Sequence, residues 1–194
     1  MHPFLTRLSV APAVQEFFEP YYSTDETGDL VFSYGETAEH FGFAFHRVPA
    51  CGLWQAGNPN TSMIRYVFLC DSAMEAIAYF SLNLHGFPHP ALCLFIAGDL
   101  EFNFIGKSCA LVFSNDLLGR VRDLKTAAVI RRQPLAITVK EETVLIRFRQ
   151  STYEISQEQF SLSAFEKLTG YRFGMRVNKA KNAPCWLDQL KSNI

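Results

Sequence analysis

Two passages of the same design constrain the fold of this chain more than any other part of it. In YVFLCDSAMEAIAYF (66–80) and ALVFSNDLLGRVRDLKTAAVI (110–130), a short apolar run ends abruptly in small or acidic residues. A helical pattern follows at once. Acidic groups therefore collect at the carboxyl ends of two strands, where open α/β sheets hold their ligands. Around these passages the pattern alternates regularly. Strands are expected at 66–70, 92–97, 109–113 and 135–139, and helices at 72–84 and 116–131. The strand runs are almost continuously apolar, as parallel strands covered on both faces require.

The flanks read differently. Residues 1–28 look like an irregular lead-in with a short helix near 14–18. Strand material follows at 30–32, and Phe41, Phe43 and Phe45 alternate with small residues at a period of two. Residues 49–62 (PACGLWQAGNPNTS) are dense in turn formers and read as a loop. The same holds for the turn after 92–97, which carries Gly98 and Gly106. Beyond Val139, residues 143–149 and 152–155 suggest a hairpin. Residues 156–168 suggest a helix with Gly170 as its C′ residue, and Trp186, Leu187 and Leu190 a short closing helix after Pro184. The expected organisation is an N-terminal extension (1–63), a core (64–140) and a C-terminal hairpin with helices (141–194).

A chain of 194 residues that is 48% hydrophobic can bury a substantial core and is not expected to be disordered. It has no apolar run long enough to span a membrane and no basic-then-apolar leader after Met1, so it reads as cytoplasmic, with no membrane partner. The five cysteines include no CxxC, and three lie inside apolar runs, so neither a zinc site nor a disulfide framework is indicated. His40 and His46, and His85 and His89 around Pro88, lack helical metal-ligand spacing and read as ordinary. The net charge of −1 conceals a division. Residues 1–119 hold 4 Lys+Arg against 12 Asp+Glu, and residues 120–194 hold 14 against 7. A basic C-terminal part fits a nucleic-acid or acidic partner, or attraction between the two halves.

The first motif, Asp71-Ser72-Ala73-Met74-Glu75-Ala76-Ile77, and the second, Ser114-Asn115-Asp116-Leu117-Leu118-Gly119-Arg120, together resemble a toprim domain. The likeness covers about 64–140 and is greatest to the primase-like and mobilization toprim proteins of mobile genetic elements. It implies a toprim-like, mainly parallel four-stranded sheet flanked by helices, with an N-terminal extension and a mixed α+β C-terminal extension. Asp71 stands where the family has its strand-end glutamate, and Glu75 at the acidic position of the helix. Asp116 matches the second aspartate of the family's Asp-x-Asp, while Ser114 replaces the first. Gly98 matches a glycine common between the motifs, and the stretch 181–190, with Trp186 and Asp188, resembles the family's tryptophan-containing tail.

By that resemblance Asp71, Glu75 and Asp116 are the candidate catalytic residues, and Asp71 and Asp116 the candidate ligands of a weakly held Mg²⁺. Two substitutions weigh against turnover. Aspartate for glutamate withdraws the carboxylate by about 1–1.5 Å, the scale of one C–C bond, and a displacement of about 1 Å costs ~100-fold in rate. Ser114 supplies no anion. The motifs also have a local reading. Ser72-x-x-Glu75 is a capping box that starts a helix by itself. Asp71 is favourable beside a helix N-terminus, Ser114 or Asn115 is an N-cap, and Gly119 permits close packing.

Cations cluster at Arg120, Arg122, Lys125, Arg131 and Arg132. A second set, Arg172, Arg176, Lys179 and Lys181, is interleaved with Tyr171 and Phe173. Arg120, Arg122, Lys125, Arg172, Arg176 and Lys179 are the candidate nucleic-acid contacts. Each set is equally consistent with a solvated face or a docked polar tail. Trp54 and its neighbours either line the cleft mouth or anchor their loop. The leading expectation is a catalytically degenerate toprim-like protein of DNA mobilization or replication that binds nucleic acid or a DNA-processing partner. The alternatives are an active Mg-dependent nucleotidyl transferase or nuclease, and a structural interaction module.

Overall fold

A computed structural model describes residues 1–58, 60, 62–87, 89–99 and 107–193; Pro88 and Gly106 lie outside the described residues. The N-terminal part holds helices α1 (Pro3–Arg7) and α2 (Pro12–Phe18) and strands β1 (Ser23–Thr24), β2 (Leu30–Ser33), β3 (Ala38–Phe41), β4 (His46–Arg47) and β5 (Leu53–Gly57). Then come β6 (Tyr66–Cys70), α3 (Ala73–Leu82), β7 (Cys93–Gly98), β8 (Ser108–Val112) and α4 (Leu117–Ile130). The chain ends with β9 (Leu135–Val139), β10 (Thr143–Phe148), β11 (Ser151–Ser156), α5 (Leu162–Thr169), β12 (Arg176–Val177) and α6 (Trp186–Lys191).

The protein is mixed α/β, with three sheets among the described residues. The central one has five strands in the order β12-β8-β6-β7-β5; β12, β8, β6 and β7 run parallel and β5 antiparallel to β7. The four-stranded sheet expected above is corrected to a five-stranded mixed one with different edge strands. Residues 135–139 do form a strand, but β9 pairs antiparallel with β10 in a separate sheet with β11. A strand-forming sequence does not specify its partner, and β10 follows at once in antiparallel reach. The edge place is taken instead by β5, inside the segment read as a loop. Its Trp54 and Ala56 are buried at a period of two, a pattern masked by the surrounding Gly, Pro and Asn.

Both faces of the central sheet are covered. Phe68, Cys70, Phe95, Ala97, Ala110 and Val112 point into a core shared with α2, α3, α6, β2 and β3. The alternate residues Val67, Leu69, Leu94, Ile96, Cys109 and Leu111 point into a second core built with α4, α5 and the β10–β11 hairpin. This explains the unbroken apolar strands. Helix α3 is buried at every position from Ala73 to Phe80 because sheet, α6 and N-terminal segment surround it. Helix α4 is amphipathic, with Val121, Leu124, Ala127 and Ala128 inward and Arg122, Lys125 and Val129 outward.

Three local readings also change. The lead-in contains α1, started by Pro3 and capped by the His2 ring, which accepts from Phe4 N. The Phe41–Phe45 alternation stops at Phe41; Gly42 N bonds Phe45 O in a tight turn that leaves Phe43 72% exposed. Helix α5 begins only at Leu162, where Ser161 accepts from Ala164 N, and ends as expected at Gly170 in the left-handed region (φ 70°).

Candidate functional site

Strands β6 and β8 are neighbours in register, with Cys70 opposite Val112, so the two motifs emerge side by side. Asp71 Oδ2 accepts from Ser114 N at 2.6 Å, and Asp71 Oδ1 accepts from Arg122 Nη1 at 2.6 Å. The Ser114 hydroxyl donates to Asp116 Oδ1 at 2.9 Å. That same oxygen accepts from Gly119 N at 2.7 Å, so the N-cap of α4 is Asp116 rather than Ser114 or Asn115. Gly119 is required here, because a Cβ would lie 2.1 Å from Ser114 O. Asp71 and Asp116 thus flank Ser114 at the carboxyl end of the sheet.

Glu75 is directed away from this pair. Ser72 does accept from Glu75 N, but the reciprocal half of the capping box is absent. The Glu75 carboxylate instead accepts from Trp186 N at 2.8 Å and Leu187 N at 3.3 Å, capping α6 from a distant part of the chain. Burial pushes its pKa up, opposed by the Cys185 thiol and these two amides. The C-terminal segment crosses the same end of the sheet. Asn178 N bonds Leu111 O, Lys179 Nζ donates to the carbonyls of Phe113 and Ser114, and Asn115 N bonds Pro184 O.

A further carboxylate belongs to this region and was not singled out from the sequence. Glu39 on β3 is fully buried. Its Oε2 accepts from Ala73 N at 2.7 Å and from the Tyr34 hydroxyl at 2.7 Å. Its Oε1 accepts from Met74 N at 3.1 Å and lies 2.8 Å from His46 Nε2. A helix N-terminus behind a strand is a ready anion site, and here an internal carboxylate fills it. The signal in the sequence was parity, since Glu39 shares the inward phase of β3 with Phe41.

The donor set does not fit Mg²⁺ as the side chains stand. Both Asp71 oxygens are engaged, one by the Arg122 cation, both Glu75 oxygens hold α6, and one Asp116 oxygen caps α4. A divalent cation would have to displace Arg122. Among the described residues no group of three or more His, Cys, Asp or Glu side chains is placed to hold a metal ion.

Below this site lies a buried ion pair, Lys179 Nζ to Asp123 Oδ2 at 2.7 Å. Asp123 Oδ1 has no hydrogen-bond partner among the described residues. Burial outweighs the lysine and pushes the Asp123 pKa up from 3.8 to about 6. Between those values the folded protein holds a proton that the unfolded chain has released, so stability rises as pH falls across that window. At about 1.4 kcal/mol per pH unit the term reaches up to about 3 kcal/mol. Urea unfolding at pH 7.5 and 4.5 is therefore expected to favour wild type over Asp123→Asn progressively more at the lower pH. Parallel profiles would refute the assignment.

Of the candidate nucleic-acid contacts, three are spent internally. Arg120 donates to the carbonyls of Gln157, Glu158 and Phe160, Arg122 binds Asp71, and Lys179 binds Asp123. Lys125, Arg172 and Arg176 are exposed, and their side chains make no hydrogen bond or ion pair among the described residues. The two basic sets meet where Arg131 Nε donates to Phe173 O at 2.6 Å. Arg149 joins them by stacking 4.9 Å above the Tyr171 ring. Glu166 is bonded into this junction through Phe173 N. Trp54 anchors its strand, donating from Nε1 to Tyr21 O. Among the described residues no helix is long and apolar enough to cross a membrane. Comparison of the chain with protein-family models, with curated proteins and with solved structures finds no match in any of the three.

Proposed function

We propose that this is a toprim-like protein of DNA mobilization or replication whose acidic site no longer serves catalysis, and which binds nucleic acid through its basic surface. The observation that carries the reading is the pairing of Asp71 with Arg122 and with Ser114 N. The two motif ends are adjacent, as a toprim arrangement requires, but their charge is neutralised from within. The tail that crosses the same end narrows access further. The basic surface supplies the second half of the reading. Lys125 and Arg132 are exposed on and just beyond α4, Arg149 stacks on Tyr171, Arg131 donates to the Phe173 carbonyl, and Arg172 is exposed between those two aromatic residues. Exposed cations suit single-stranded nucleic acid through phosphate contacts, but the expected interleaving with rings is corrected: Phe173 is fully buried in the core and offers no face to a base, and Tyr171 is half-buried.

The test is fluorescence anisotropy with labelled single-stranded and duplex DNA over a salt series, with and without Mg²⁺. With three to four phosphates contacted, log Kd against log salt should have a slope of about 2 to 3 for single strands. The double variant Lys125→Gln/Arg172→Gln, which breaks no internal bond, should weaken binding by about tenfold or more. Absence of binding at low salt would overturn the reading. Cleavage or extension of DNA that needs Mg²⁺ and is lost in Asp71→Asn would replace it with the active-enzyme alternative.

A further inference from the structure

The end of the central sheet opposite Asp71 holds a cavity that the acidic motifs do not touch. It lies at the amino ends of β6, β7 and β12, against the last turn of α3, and measures about 640 Å³. That is within the range of small-molecule sites. Its walls are aromatic. Phe68 and Tyr79 are buried at its base, their ring centroids 5.5 Å apart, and Phe87 packs edge-on to both at 5.1 and 5.8 Å. Its rim is cationic: Arg65, just before β6, and Arg176, on β12, lie on either side of β8, and their exposed side chains make no hydrogen bond or ion pair among the described residues.

Among the described residues the lining contains no aspartate or glutamate, although residues 1–119 carry 12 of them against 4 Lys+Arg. His85 and His89 add ring nitrogens at the mouth. Tyr79 adds a donor at the base: its oxygen accepts from Asn178 Nδ2 at 2.7 Å, and its own proton has no acceptor among the described residues. Burial pushes that phenol's pKa up to about 12, so it keeps the proton at neutral pH.

We propose that this cavity binds a mononucleotide, the base lying against the aromatic walls and the phosphate held by Arg65 and Arg176. Two features select that chemistry together. Aromatic walls favour a flat ring, and two arginines on the rim, with no carboxylate in the lining among the described residues, favour a phosphate, which arginine binds in bidentate fashion. An uncharged aromatic leaves both cations unused, and inorganic phosphate leaves the walls empty. The site is independent of the acidic motifs and of the α4 surface.

Isothermal titration calorimetry with the four nucleoside 5′-monophosphates, their nucleosides and inorganic phosphate tests it. At least one monophosphate is expected to bind tenfold or more tightly than its nucleoside and than phosphate. Arg65→Gln/Arg176→Gln should weaken it by at least tenfold, with thermal unfolding little changed because neither side chain makes a hydrogen bond or ion pair among the described residues. The same nucleotide presented at the 5′ end of a short single strand separates the two sources. Tighter binding of the strand identifies a strand end, and weaker binding a free nucleotide, provided either is lost in the double variant. No saturation by any monophosphate at millimolar concentration, or equal binding by the double variant, overturns the proposal. DNA binding by the Lys125→Gln/Arg172→Gln protein reads the other surface, so the two can fail separately.

Discussion

Replacing Glu39 by alanine is expected to lower the free energy of unfolding by about 3–5 kcal/mol, the scale found when one partner of a buried charged network is removed. The carboxylate holds four groups at once: Ala73 N, Met74 N, the Tyr34 hydroxyl and His46 Nε2. Alanine leaves Met74 N and the Tyr34 hydroxyl without their acceptor in a place water does not reach, while Ala73 N keeps the Tyr34 oxygen at 3.1 Å, and each unsatisfied buried group costs about 1–3 kcal/mol. It also removes the negative charge that favours this helix end. The loss acts globally, because α3 is the helix around which the N-terminal core is built. Since domains are stable by only about 5–15 kcal/mol, the variant should sit near its unfolding threshold. Glu39→Gln keeps the shape and one acceptor, so its loss should be roughly half as large. Urea unfolding followed by circular dichroism measures both. A drop below about 1 kcal/mol for alanine would mean that the α3 amides find other acceptors.

The second large effect is expected at Glu75, and it should be local. Glu75→Ala removes the acceptor for Trp186 N and Leu187 N, the first amides of α6. A six-residue helix has no stability of its own and depends on its cap and its packing. Destabilisation of about 2–4 kcal/mol is expected from two buried amides left unpaired. Part of it should appear as release of α6 while the sheet stays folded. Trp186 packs edge-on to Tyr79 at 4.9 Å, so the near-ultraviolet signal of Trp186 reports the docking. Amide exchange at 186–190 and tryptic cleavage after Lys179 or Lys181 should both accelerate by tenfold or more, since about 1.4 kcal/mol is a factor of ten when opening is fast. Unchanged exchange at 186–190 would show that hydrophobic contact alone holds the helix.

These two glutamates show where reading the sequence stops. The capping box at Ser72 correctly starts α3, because Ser72 needs only an amide three residues away. The other half of that motif is not local. Glu75 can turn back to Ser72 or outward to α6, and the choice depends on a helix 111 residues later in the chain. Glu39 is harder still, because its inward phase on β3 has meaning only once α3 is known to start behind that strand. Asp71 and Asp116 sit at the strand and helix ends where their sequence placed them. That an arginine occupies the side of Asp71 follows from the pitch of α4, which sets Arg122 over the neighbouring strand end.

The sequence by itself determined much of the local structure: the strands at 66–70, 92–97, 109–113 and 135–139, the start of a helix at Ser72 and the end of one at Gly170, and that both faces of the core strands are covered. Those outcomes depend on contacts within a few residues and on periodicity, and both are written along the chain. The tertiary structure alone decided which strands share a sheet. It sent Leu135–Val139 to a separate hairpin sheet and drew Leu53–Gly57 into the central one. It alone decided the partner of each buried charge. Strand pairing and ion pairing join groups tens of residues apart, and many arrangements satisfy the same local pattern. Only packing the whole chain leaves one in which nearly every buried polar atom has a partner.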